Sequence, residues 1–229
     1  MKASHFLEIL KMAKTTLLEY KNWDEDEIYK MKIISKASLQ LEALKEKLKN
    51  CKDCPLGEHR LNCVFGEGNP KAKLMFVGEG PGYDEDHQGR PFIGKAGQLL
   101  TKIIEAMGYK REDVYIANIV KCHPMKTPDP QIRGNDRPPT FEEASTCKKY
   151  LDLQIDLIKP KVIITLGAPS SKGLLNSDET IGNLRGNFYI YKGITLMPTY
   201  HPAALLRNPN LKKPLWNDMK KVIDFLKKK

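Results

Sequence analysis

Leu74-Met75-Phe76-Val77 runs directly into Gly78-Glu79-Gly80-Pro81-Gly82-Tyr83-Asp84-Glu85-Asp86. A short apolar run closed by a Gly/Pro turn reads as a strand ending in a loop. The same texture recurs along the chain. Val114 to Val120, Val162 to Leu166 and Ile194 to Met197 are further strand candidates, and the spacing predicts helices over Ala96 to Met107, Phe141 to Ile158 and Leu215 to Leu226. Thr140 with Glu143 three residues on forms a capping box at the start of the second helix, and Trp216, Met219, Ile223 and Leu226 share one face of the last. Strands and helices alternating at this spacing predict an α/β fold: an open, mainly parallel sheet with helices on both faces. In such sheets ligands bind outside the carboxyl ends of the strands, so the loops after the strands are where chemistry belongs.

Outward from this core, residues 3–50 carry Phe6, Leu10, Ala13, Leu17, Tyr20 and then Ile34, Ala37, Leu41, Leu44, Leu48 at alternating three- and four-residue spacing, the pattern of an N-terminal helical hairpin turning near Asp24 to Glu27. The expected division is a helical extension over 1–50 and the main domain over 51–229. The 229-residue chain, 41% apolar and 29% charged, is long enough for one substantial core. Its net charge of +10 suits a polyanionic partner without identifying one. No stretch approaches the ~20 apolar residues of a membrane span and the N-terminus lacks a secretory apolar run, so the expected location is intracellular and cytoplasmic. The five cysteines are then reduced thiols or metal ligands.

Cys51 and Cys54 form a C-x2-C pair followed by Pro55, close enough to clasp one metal centre. Cys122, after a strand, and Cys147, on the capped helix, are either the two further ligands of a four-thiol set or ordinary buried small residues, and they are read as ligands; Cys63 is read as an ordinary buried cysteine. Zinc or a 4Fe-4S cluster would suit four thiolates equally, and spacing does not choose.

Two loops are chemically unusual. Gly78 to Gly82 is followed by Gly89-Arg90-Pro91-Phe92-Ile93-Gly94-Lys95-Ala96-Gly97, which leads into a helix and matches neither phosphate-loop nor dinucleotide fingerprints. After the last strand comes Thr199-Tyr200-His201-Pro202-Ala203-Ala204-Leu205-Leu206-Arg207. His201 there is either a satisfied core histidine or a substrate donor, and Leu205-Leu206 beside Arg207 is either a helix-start leucine pair or an apolar wedge next to a phosphate contact.

Together Gly78-Glu-Gly-Pro-Gly with Glu85-Asp86, Arg90-Pro-Phe-Ile-Gly-Lys-Ala-Gly, Asn118-Ile-Val-Lys-Cys122-His-Pro and His201-Pro-Ala-Ala-Leu-Leu-Arg, framed by four cysteines, closely resemble the family 4 uracil-DNA glycosylases. The resemblance runs from Cys51 to about Leu226. It implies the uracil-DNA-glycosylase fold, a monofunctional glycosylase that excises uracil and leaves an abasic site, and a structural 4Fe-4S cluster on Cys51, Cys54, Cys122 and Cys147. The implied partner is uracil-containing DNA, single- or double-stranded, met by a monomer. By motif position, Phe92 stacks on uracil, Asn118 reads its amide edge and His201 bonds the oxygen where negative charge collects, with backbone amides near Gly80 assisting. Leu205, Leu206 and Arg207 are expected to fill the gap left by the extruded nucleotide. Glu79 and Glu85 are the candidates to orient water. Gly80 stands where the better-known uracil-DNA glycosylases carry an aspartate, which leaves the water-activating residue open. The segment from His123 to Thr146 looks longer than its counterpart in the family and is read as a surface excursion. Three competing readings remain at this level: a glycosylase for another deaminated base such as hypoxanthine, a catalytically silent DNA binder, and a zinc-bound nucleic-acid module.

Overall fold

The computed structural model describes residues 36–228. The first arm of the expected hairpin, Phe6 to Tyr20, and its turn lie outside the described residues. The second arm forms α1 (Lys36–Lys49). Then follow α2 (Leu56–His59), β1 (Glu67–Gly68), β2 (Leu74–Gly78), α3 (Tyr83–Gln88), α4 (Lys95–Ala106), β3 (Tyr115–Asn118), α5 (Phe141–Ile158), β4 (Val162–Leu166), α6 (Ala168–Leu175), α7 (Ile181–Leu184), β5 (Tyr189–Tyr191), β6 (Ile194–Thr199), α8 (Pro202–Arg207) and α9 (Lys212–Lys227).

The strands form one six-stranded sheet in the order β1-β3-β2-β4-β6-β5. The four inner strands are parallel, and the two edges are closed by short antiparallel strands. Each inner strand is buried on both faces because its alternate residues feed two cores. Met75, Val77, Ala117, Ile163 and Leu196 face one core, which includes Leu41 and Leu48 of α1, Leu151 and Ile155 of α5 and Leu174 of α6. Leu74, Phe76, Ile116, Ile164 and Met197 face the other, with Leu100 and Ile104 of α4, Leu205 of α8 and Met219 and Val222 of α9. Helices therefore cover both faces, as a parallel sheet requires.

The helix starts follow the expected chemistry. Thr140 Oγ1 accepts from the Glu143 N–H at 3.2 Å, and the Glu143 carboxylate accepts from the Thr140 N–H at 2.7 Å. Such a cap contributes about 1 kcal/mol. Arg137 clamps the same carboxylate through two bonds of 2.7 and 2.8 Å, tying the segment before α5 to that helix, whose first turns take up residues 141–146 of the expected excursion. The excursion is internally ordered as well: the Asn135 side chain is buried and bonds Thr127 and Asp129.

Because β2 has β3 on one side and β4 on the other, the chain reverses its winding direction there. That switch opens a crevice at the carboxyl ends of β2 and β4. Gly78, Asn118 and the residues after Thr199 all lie at this edge.

Candidate active site

Three sequence-distant groups meet at the crevice. A Cβ built on Gly78 would lie 2.4 Å from Asn118 Oδ1 and 2.5 Å from Phe92 Cζ, so only glycine lets both side chains press against the end of β2. The Phe92 ring lies 5.6 Å from the His201 ring at 33°. Phe92 itself has a left-handed backbone, φ 52°, which costs a bulky residue of order 1 kcal/mol or more and persists only where surrounding contacts enforce it. Here Glu85 does so. Its carboxylate accepts from the Ile93 and Gly94 N–H groups at 3.0 and 3.1 Å and from the Gly82 N–H at 3.2 Å, tying the glycine-rich turn to the loop that carries Phe92.

Asn118 is 1% exposed and its Oδ1 has no hydrogen-bond partner. A buried carbonyl left unpaired costs about 1–3 kcal/mol. Such an acceptor points to a donor supplied from outside.

His201 caps α8, with its Nδ1 accepting from the Ala203 N–H at 3.1 Å. That bond assigns the ring proton to Nε2. Burial, with the Arg207 charge adding to it, pulls the imidazole down to about 4. At neutral pH His201 is therefore an uncharged Nε2–H donor. The end of β6 just before it is fixed at Thr199, whose hydroxyl donates to buried Asp218 at 2.7 Å, and Arg185 pairs with the same carboxylate.

The two acidic candidates differ. Glu85 is committed to three backbone amides. Glu79 is half-buried beside Gly78; its backbone carbonyl accepts from the Val120 N–H at 3.1 Å, but its carboxylate has no hydrogen-bond or ion-pair partner among the described residues, and burial raises it above the usual range. Gly80 follows it, packed so that a Cβ would meet Val120 Cγ2 at 2.7 Å.

The expected wedge needs correcting. Leu205 is 1% exposed and belongs to the core under α4, because one face of α8 must pack on the sheet. Leu206, 49% exposed, and Arg207 project outward on the other face. Leu205→Ala is accordingly expected to destabilise the fold by about 2–5 kcal/mol in denaturant titration. Leu206→Ala should leave stability within about 0.5 kcal/mol.

Away from the crevice, Cys51, Cys54, Cys122 and Cys147 line one small pocket with Leu48, Arg60, Lys121 and Tyr150. All are free thiols. Cys63 does not line it. Among the described residues no three His, Cys, Asp or Glu side chains converge on a point that would hold a single metal ion. Arg60 Nη1 donates to Cys122 Sγ at 2.8 Å, and its other amino group bonds the Leu48, Lys49 and Cys51 carbonyls, which secures α1 to the pocket wall. Burial pushes the Cys147 thiol up to about 11 and the Cys122 thiol higher still, with nearby cations opposing. Neither Arg60 nor Lys121 was singled out by sequence reasoning. The available signal was position: Arg60 falls between two of the cysteines, and Lys121 lies between Asn118 and Cys122 in one short motif.

An aromatic face, an unpaired amide acceptor and a neutral imidazole donor, gathered where a doubly wound sheet reverses, define a site for a flat, uncharged ring with its own hydrogen-bonding edge. Residues 65–220 match the model of the uracil DNA glycosylase superfamily. Over 191 residues the chain is 47% identical to a type-4 uracil-DNA glycosylase from Sulfurisphaera tokodaii, covering 80% of this chain and 83% of that one. Type-4 uracil-DNA glycosylases from Saccharolobus solfataricus (43% identical; 82% of this chain, 88% of that one) and Thermotoga maritima (42%; 82% and 95%) are similarly close. The chain belongs to the uracil DNA glycosylase superfamily and, within it, to the type-4 family.

Proposed function

We propose that this protein hydrolyses the N-glycosidic bond of uracil in DNA and leaves an abasic site. The observation that carries the reading is the buried, unpartnered Asn118 Oδ1 beside the Phe92 ring. Uracil N3–H would supply the missing donor, while the amide nitrogen would donate to uracil O4; cytosine presents the reverse pattern.

The reaction follows from the charges. As the C1′–N1 bond breaks, its electron pair passes to uracil and collects at O2, while the sugar becomes cationic. The neutral His201 Nε2–H donates to that oxygen without having to give up its proton, a role in which one preorganised donor is worth about 10²–10³ in rate. Water then forms the new bond to C1′. Glu79, unpaired and raised by burial, is suited to orient that water and take its proton. Glu85 has its carboxylate engaged by backbone, so we assign it the positioning of Phe92 and not the water step. The nucleotide must leave the stack to reach this site, at a cost of a few kcal/mol. Leu206 and Arg207, outward on α8, are placed to fill the gap and hold the backbone. The +10 net charge favours the approach to DNA.

The thiol pocket fits a 4Fe-4S cluster on Cys51, Cys54, Cys122 and Cys147. Four thiolates would hold a zinc ion as readily, and the resemblance to the family 4 uracil-DNA glycosylases favours the cluster. Arg60 and Lys121 supply positive charge to an anionic centre. Bound there, the cluster would act structurally, joining the segment before β1 to β3 and α5. Leu41 and Leu48 of α1 sit in the same core, so the folded domain extends back at least to α1.

The test is a labelled strand carrying one deoxyuridine, incubated with the protein and then treated with alkali. Alkali-dependent cleavage supports a monofunctional glycosylase. Cleavage only with deoxyinosine would move the substrate to another deaminated base, and binding without cleavage would leave a silent DNA-binding protein.

A further inference from the structure

Lys121 is 0% exposed, in the interior between the crevice and the thiol pocket. Burying an ammonium costs several kcal/mol unless polar partners compensate. Its partners are two neutral oxygens: the Asn118 backbone carbonyl at 2.7 Å and Gln154 Oε1 at 2.6 Å. Gln154 is itself fixed, its amide donating to the Phe65 carbonyl at 2.9 Å and the Tyr115 hydroxyl at 3.2 Å. No carboxylate pairs with the ammonium among the described residues, and Lys121 lines the pocket of the four thiols.

We infer that Lys121 is a positioning residue for base recognition, holding the Asn118 carbonyl so that the Asn118 side chain keeps its unpaired acceptor facing the base. This rests on the proposed glycosylase reading. The physical need is specific. An unsatisfied buried acceptor is pulled toward any available donor, and Asn118 ends its strand, so its peptide must be anchored from the side opposite the base. Lys121 supplies that anchor three residues on. The same side chain lines the pocket of the four thiols, whose sulfurs would carry negative charge when they hold a cluster. Occupancy of the thiol pocket and geometry of the base site are thereby joined through one side chain.

The test is a double-mutant cycle on iron-loaded protein, with iron per chain measured for every variant. Lys121→Met is expected to keep its iron, to lower single-turnover uracil excision about tenfold or more, and to weaken inhibition by free uracil to a similar extent, while binding to uracil-free DNA stays unchanged. In an Asn118→Ala background the same substitution should cause no further loss. A purely structural role would lower melting temperature and leave uracil inhibition as it was. The inference is overturned if K121M, loaded with iron, excises uracil at the wild-type rate, or if its loss multiplies that of N118A. Should K121M fail to load iron, Gln154→Leu, which keeps the lysine but removes one partner, must show a smaller loss that likewise vanishes in N118A. Iron loss in both variants overturns the inference in favour of a structural lysine. Wild-type protein that excises no uracil would overturn the glycosylase reading itself, and this role with it.

Discussion

His201→Ala lowers the single-turnover rate of uracil excision by about 10²–10³-fold, with DNA affinity little changed, because the lost donor matters only once charge has reached the departing base. The neutral imidazole also leaves a pH signature. An unfolded histidine titrates near 6.5, whereas burial and the Arg207 charge hold His201 at about 4. Between those values the unfolded chain binds a proton that the folded chain refuses. Stability contributed by this group is therefore complete above about pH 6.5 and is lost as pH falls toward 4, by up to ~3 kcal/mol. Chemical denaturation at stepped pH should show that slope in the wild type and a shallower one in His201→Gln. Excision itself should not decline through protonation of His201 between pH 5.5 and 8, a window chosen at least ~1 unit above its value.

The second large effect is on folding. Cys147→Ser removes one of the four sulfurs from the pocket that joins the C-x2-C segment to α5 and to the end of β3. Metal binding by preorganised thiolates is folding free energy. The variant is expected to purify with little or no iron and to melt about 10 °C or more below the wild type, as losing ~3–5 kcal/mol implies for a chain of this size. Cys63→Ser, at a cysteine outside the pocket lining, should keep its iron.

Much of this architecture was legible because the strongest signals are local. Phe141–Ile158 was bounded by its capping box, and Val162–Leu166 by its apolar run. The edge strands Glu67–Gly68 and Tyr189–Tyr191 were not, since two or three residues with one face in solvent carry no periodicity. The short helix Pro202–Arg207 explains the error at Leu205: two adjacent leucines look alike in sequence, but on a helix they point about 100° apart, and one is drawn into the core. Glu79 and Glu85 were likewise interchangeable until the three amides around Glu85 separated them. Lys121 was invisible for a different reason. Lysine is almost never fully buried, so its position between Asn118 and Cys122 was the one hint that this cationic side chain turns inward between two sites.

The measurement that bears most directly on the base-reading role of Asn118 compares wild type with Asn118→Asp on strands carrying a single deoxyuridine or a single deoxycytidine. The carboxylate keeps acceptors for cytosine's amino group but offers no donor to uracil O4. Wild type is expected to excise uracil and spare cytosine, while N118D loses about 10²-fold on uracil and gains cytosine excision above background. N118D cutting uracil at the wild-type rate and still sparing cytosine would contradict that role.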